Sequence, residues 1–123
     1  MSLPRLATEI EEVEGIPVVK VFGEVDLYTV PEFDQALREA LDRGAPAVIA
    51  DLTGISYLDS AGLSSLLCAY RKLAARNAIL YVVAAPNTPG VRRALEITRL
   101  TALMRVRDTV ESALQELRAR ASE

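Results

Sequence analysis

The sequence predicts an α/β domain in which a mixed β-sheet is packed against about four helices. Two strand-type segments come first, and helical and strand-type segments then alternate, an order that favours this architecture. The chain has 123 residues, half of them apolar, which is enough to form one hydrophobic core. We therefore expect a single domain spanning 1–123.

The first two strands are predicted at 5–13 and 16–23, with a turn at Glu14-Gly15 between them. The segment PVVKVFGEV is rich in β-branched residues and contains an aromatic residue, both typical of strands. Gly23 is expected either to end the second strand or to form a bulge in it.

The segment TVPEFDQALREALDRG predicts the first helix. Thr29 and Glu32 have the spacing of a capping box, Pro31 is tolerated in the first turn, and Gly44 is a natural C-cap. The apolar residues recur at helical spacing: Phe33, Ala36, Leu37, Ala40 and Leu41.

Two short apolar runs, PAVIADL at 46–52 and ILYVVAA at 79–85, predict strands that are covered on both faces. Thr53-Gly54 has the composition of a turn between the first run and a further segment at 55–58. We expect Asp51 to accept hydrogen bonds from backbone donors in that turn.

The second helix is predicted to follow Asp59-Ser60 and to reach about Arg76. Its buried face consists of apolar residues at helical spacing: Leu63, Leu66, Leu67, Tyr70, Leu73 and Ala74. An adjacent stripe carries mostly small residues: Ser60, Ser64, Cys68, Arg71 and Ala75. This stripe is either a solvated face or a docking surface for another protein, and spacing alone favours the solvated face.

The remaining chain predicts two more helices. Thr88-Pro89 has the cap-then-proline order of a helix start. An extended piece is expected near 103–106, and Asp108 or Thr109 is expected to cap the last helix. The apolar face of that helix is Val110, Ala113, Leu114 and Leu117.

Composition argues against several classes of function. The net charge of −3 and the 5% aromatic content argue against a nucleic-acid surface. A single cysteine, Cys68, points to no disulfide, and we find neither a secretory leader nor a membrane-spanning run. Histidine, the commonest general base and metal ligand, is absent. We expect a cytoplasmic protein that is not an enzyme and binds no metal, cofactor or nucleic acid.

The Asp59-Ser60 pair has four interpretations. Local physics favours helix capping, since both residue types are preferred at N-caps. A nucleophilic serine would need a base, for which only Lys20 and Lys72 remain. A phosphorylated Asp51 would need an acidic cluster around a divalent cation, and no paired acids follow the first strands. Finally, Ser60 is a suitable substrate for another protein's kinase, because a phosphate beside Asp59 would switch binding without any catalytic group in this chain.

Three segments resemble one known family. GEVD at 23–26, DLTGISYLDSAG at 51–62 and VRRALEITRL at 91–100 are similar to the STAS domain of anti-sigma factor antagonists, in order and in spacing. The aspartate-serine turn followed by a leucine-rich helix is the most specific part. Many family members have a second serine after the acceptor, where this chain has Ala61.

The resemblance implies a STAS-like mixed sheet and a partner switch. An unphosphorylated antagonist binds an anti-sigma factor that is itself a serine kinase, and so releases the sigma factor. Phosphorylation weakens that complex, and a metal-dependent serine phosphatase reverses it. By position, Ser60 is the implied phosphate acceptor, Asp59 flanks it, and Asp26 matches an acid that helps the kinase interaction. Ser64 and Ser65 are less favoured acceptors on the same helix, and we include Ser64 among the expected partner contacts.

The main alternative keeps the fold and changes the partner. STAS-like domains also act as scaffolding modules of stress-sensing assemblies and as regulatory subunits of membrane transporters. Such a protein need not be phosphorylated at all.

Overall fold

A computed structural model, which describes residues 5–86 and 89–122, contains a five-stranded sheet with helices on both faces. The elements in chain order are β1 (Leu6–Val13), β2 (Ile16–Val25), α1 (Val30–Leu41), β3 (Ala47–Leu58), α2 (Ser60–Ala74), β4 (Ile79–Val83), α3 (Pro89–Ile97), a 3-10 helix (Leu100–Ala102), β5 (Arg105–Arg107) and α4 (Val110–Ala121). The strands lie side by side in sequence order. β1 is antiparallel to β2 and the other pairs are parallel, which confirms the predicted mixed sheet with about four helices.

Two hydrophobic clusters flank the sheet. The larger one joins the sheet to α1, α2 and α3, and its fully buried side chains include Phe33, Leu66, Leu73 and Leu95. The smaller one joins the opposite face to α4 through Ala113 and Leu114. Of the predicted inward face of α2, Leu66 and Leu73 are buried and Ala74 is exposed. The other three predicted residues are partly buried against the same cluster: Leu63, Leu67 and Tyr70.

The last helix is fixed to β5 by a charged network. The carboxylate of Glu116 accepts hydrogen bonds from Arg105 at 3.0 Å and from Arg107 at 2.9 Å. Both guanidinium groups also lie about 6 Å from the centre of the buried Tyr81 ring, within the range of a cation–π contact. The cap of α4 is Thr109, one of the two predicted residues, whose hydroxyl accepts from the Ser112 N–H.

The β1–β2 turn is the predicted one. Glu14 and Gly15 both have positive φ, the conformation of a two-residue hairpin loop whose twist matches the strands. At the other end of the hairpin, β2 continues past Gly23 to Val25, so Gly23 does not end the strand, and the register shift between Gly23 and Glu24 places its extra residue in β3 rather than at Gly23.

The predicted turn at Thr53-Gly54 is wrong, because β3 continues through it to Leu58. Two register shifts against β2 each place one extra residue in β3, so the strand bulges instead of turning. Gly54 is required there, since a Cβ would lie 2.8 Å from the Val21 carbonyl oxygen. Asp51 accepts a hydrogen bond from the Thr53 N–H at 3.1 Å, as predicted, but within a bulge.

Three other boundaries differ by a few residues. α2 ends at Ala74 rather than near Arg76, β4 ends at Val83, and the extended piece near 103–106 is β5 at Arg105–Arg107. Pro89 begins α3 as predicted, while Thr88 lies outside the described residues.

Candidate interaction site at the ends of two parallel strands

The predicted functional residues lie where β2 and β3 end side by side. Val25 and Leu58 are paired in register, and the Asp59 N–H donates to the Val25 carbonyl at 3.1 Å. Asp26 and Asp59 are the next residues of two strands that run about 4.8 Å apart. The sheet therefore brings Asp26, Asp59 and Ser60 to one edge of the molecule.

Asp59 is the N-cap of α2. Its Oδ1 accepts hydrogen bonds from the N–H groups of Ala61 at 2.9 Å and Gly62 at 3.4 Å, which confirms the capping predicted for this residue. Ser60 is the first residue of the helix and is exposed. Its hydroxyl makes no hydrogen bond with any residue that the structure describes, so the cap leaves it free for chemistry.

Gly62 allows the start of α2 to sit directly on the strand ends. A Cβ at this position would lie 2.3 Å from the Leu58 Cδ1 atom and 2.8 Å from the Val25 Cγ1 atom. Because Gly62 has no side chain, the first turn of α2 can pack closely against Leu58 and Val25, and this close packing fixes the position of Ser60.

Asp26 organises the turn that leads into α1. Its Oδ1 accepts from the N–H groups of Tyr28 at 2.9 Å and Thr29 at 3.0 Å, and its Oδ2 accepts from Arg5. The predicted capping box is wrong, because Thr29 makes no side-chain bond to the helix N-terminus. Its hydroxyl instead donates to the Glu24 carbonyl at 2.8 Å and accepts from the Asp26 N–H at 2.9 Å.

Arg5 is a site residue that sequence reasoning missed. Its guanidinium bridges Glu24, at 3.2 Å, and Asp26, and its carbonyl accepts from the Glu24 N–H at 2.8 Å. The start of β1 is thus bound to the GEVD segment both through the backbone and through a cation shared by two carboxylates.

The Asp26 carboxyl should make stability depend on pH. Burial raises the pKa of this carboxyl, but the N–H groups of Thr29 and Tyr28 and the charge of Arg5 outweigh that effect, and the pKa lies below its usual 3.8. The ionised form thus stabilises the fold above pH 3.8, and this stabilisation is lost as the pH falls through the lowered pKa. We expect Asp26→Asn to unfold at a lower temperature than the wild type at pH 6, and the difference to vanish towards pH 2. A difference that is constant over this range in thermal melts would contradict the assignment.

The stripe of small residues on α2 continues from this edge. Ser64 and Cys68, one and two turns after Ser60, are exposed, whereas Ser65 is buried. No cluster of three or more Cys, Asp or Glu side chains in residues 5–86 and 89–122 is arranged to hold a metal ion. None of the described helices combines the length and the apolar character that a membrane span requires.

Three large apolar side chains near the ends of β2 and β3 are exposed. Leu27 is 71% exposed and Tyr28 is 81% exposed, in the turn that Asp26 organises. Tyr57, two residues before Asp59, is about half exposed. No sequence pattern had indicated a role for Leu27, Tyr28 or Tyr57.

Comparison with known proteins places the chain within one family. The STAS domain model matches residues 7–113. Among curated proteins, an "Anti-sigma-B factor antagonist" of Staphylococcus aureus is 36% identical over 93 residues, 76% of this chain and 84% of that protein.

Solved structures agree in fold. An anti-sigma factor antagonist from Mycobacterium paratuberculosis superposes with a TM-score of 0.86 at 33% identity, over 96% of this chain and 99% of that one. The Bacillus cell fate determinant SpoIIAA in its phosphorylated form gives a TM-score of 0.66 at 24% identity, over 90% and 99% of the two chains.

Proposed function

Because this chain belongs to the STAS domain family, we propose that it is a cytoplasmic anti-sigma factor antagonist whose binding is controlled by phosphorylation of Ser60. The names of the Staphylococcus and Mycobacterium relatives support the antagonist role. The observation that supports phosphorylation is the state of the Ser60 hydroxyl. Ser60 is exposed at the N-terminus of α2, which Asp59 caps, and its hydroxyl has no hydrogen-bond partner among the described residues.

The proposed partner is an anti-sigma factor that is also a serine kinase. The unphosphorylated protein binds it and releases the sigma factor, and a serine phosphatase restores this form after phosphorylation. Ser60 receives the phosphate, and Asp59 fixes its position. Ser64, exposed one turn along α2, lies within the same contact surface.

A binding role explains the chemistry of the site better than catalysis does. A nucleophilic Ser60 would need a base, and the chain has no histidine. The ammonium group of Lys20 is 2.7 Å from the Glu11 carboxylate, which raises its pKa and keeps it protonated. Lys72 is exposed three turns along α2 from Ser60, at the far end of the helix.

Intact-mass spectrometry of the protein purified from its own cells tests this function. We expect a form carrying one phosphate, located on Ser60 by peptide mapping. Ser60→Ala should abolish this form. Ser64→Ala, which changes an exposed serine one turn away, should retain it. A protein that stays unmodified under all growth conditions would contradict the phosphorylation switch and favour the scaffold or transporter-subunit alternative.

A further inference from the structure

The Asp26 carboxylate is fully engaged within the protein. The Asp26 side chain is only 13% exposed. One oxygen accepts from two N–H groups of the following turn, and the other is bound by Arg5. A partner that bound this carboxylate directly would have to displace Arg5 or open the turn, and both changes remove charge-assisted hydrogen bonds.

In contrast to Asp26 itself, the residues of the turn that its carboxylate holds in place are accessible to a partner. Leu27 and Tyr28 are consecutive, 71% and 81% exposed, and lie in the turn that the Asp26 and Thr29 hydrogen bonds fix. A large apolar side chain on a fixed backbone loses little conformational entropy on binding, and tyrosine is among the residues that most often dominate interface energetics.

We propose that Leu27 and Tyr28 insert into an apolar recess of the anti-sigma factor kinase, and that Asp26 is a positioning residue that holds them there. This inference rests on the proposed function, since it takes the partner from it. Continuity with Ser60 argues for this occupant. Val25 and Leu58 are paired in register, so the 26–29 turn and the Ser60 helix start emerge side by side from the sheet. A kinase that reaches the Ser60 hydroxyl therefore covers the turn as well.

The arrangement also makes the phosphate more effective as a switch. Apolar contacts beside Ser60 exclude water when the complex forms, so a phosphate there must be desolvated. The same phosphate on a well-solvated rim would weaken binding much less.

The test measures how fast phosphate appears on Ser60 of newly made protein in its own cells, followed by intact mass. We expect Leu27→Ser combined with Tyr28→Ser to slow this rate by about tenfold, the effect of losing about 1.4 kcal/mol of binding. Ile97→Ser is the matched control, because Ile97 is 69% exposed but lies at the end of α3. It should change the rate by less than about twofold.

Two variants of Asp26 separate positioning from direct contact. Asp26→Ala should slow phosphorylation about as much as the Leu27/Tyr28 double variant. Asp26→Asn retains a side-chain oxygen that can accept from the Tyr28 and Thr29 N–H groups, and should recover most of the lost rate. Thermal melts within about 2 °C of the wild type show that the exposed substitutions leave the fold intact.

The outcomes distinguish the inference from the function beneath it. If Ser60 is phosphorylated at the wild-type rate in the Leu27/Tyr28 double variant, the inference is wrong and the proposed function stands. If Asp26→Asn is as slow as Asp26→Ala although its oxygen can still accept from the Tyr28 and Thr29 N–H groups, the positioning role is wrong. If the wild type carries no phosphate, both proposals fail.

Discussion

Phosphorylation of Ser60 is expected to lower the affinity for the anti-sigma factor about a hundredfold, which corresponds to about 2.8 kcal/mol. The phosphate adds about two negative charges beside Asp59. The structure offers it little internal compensation: the Ala61 and Gly62 N–H groups already donate to Asp59, and Arg5 is bound by Glu24 and Asp26. The added charge therefore faces the partner, and placing an unpaired charge in an interface costs about 2 to 5 kcal/mol.

Titration calorimetry with the purified anti-sigma factor measures this change. Phosphorylated and unphosphorylated protein are compared, with Ser60→Ala as the neutral reference, which should bind like the unphosphorylated form. Ser64→Asp adds a charge one turn further along α2 and should weaken binding less. Equal affinities of the two forms would contradict an electrostatic switch, as would large amide shifts in α4, on the opposite face of the sheet.

The helices and strands were predictable because their signals are local. An N-cap depends on a few consecutive residues, and the bonds from Ala61 and Gly62 to Asp59 follow from the order Asp-Ser-Ala-Gly. Buried strands and amphipathic helices follow likewise from the spacing of apolar residues. The family resemblance, carried by three short segments, added the role proposed for Ser60, which spacing alone did not favour.

The errors arose where a residue's partner lies in a different element from the one its local sequence pattern indicates. Thr29 has the sequence of a cap, but its hydroxyl bonds to the Glu24 carbonyl of the preceding strand. Thr53-Gly54 has the composition of a turn, but β2 provides a strand against which β3 can continue. Arg5 was nevertheless accessible to reasoning, because counting back along both strands from the predicted hairpin turn places it opposite Glu24.

Replacing Gly23 by alanine is expected to destabilise the fold by at least about 3 kcal/mol. Gly23 has a φ of +105°, which is strained for any residue with a side chain. A Cβ there would also lie 2.1 Å from the Arg5 carbonyl oxygen, a backbone atom that cannot move without displacing β1. Gly15→Ala is the matched control: its φ is +80°, but no atom lies within 4 Å of the added carbon. It should cost about 1 to 2 kcal/mol, from backbone strain alone.

Urea unfolding of the two variants isolates the effect of the close contact between strands. If Gly23→Ala moves the start of β1 away, the guanidinium of Arg5 leaves Asp26, and the pKa of the Asp26 carboxyl should rise towards its usual 3.8 in an NMR titration. Gly15→Ala, at the opposite end of the hairpin, should leave that pKa unchanged. Equal destabilisation by the two substitutions would mean that the start of β1 can shift away from residue 23 at little cost in free energy. Gly23 would then be needed only for its backbone angle, and not to keep the start of β1 close enough for Arg5 to bind Asp26.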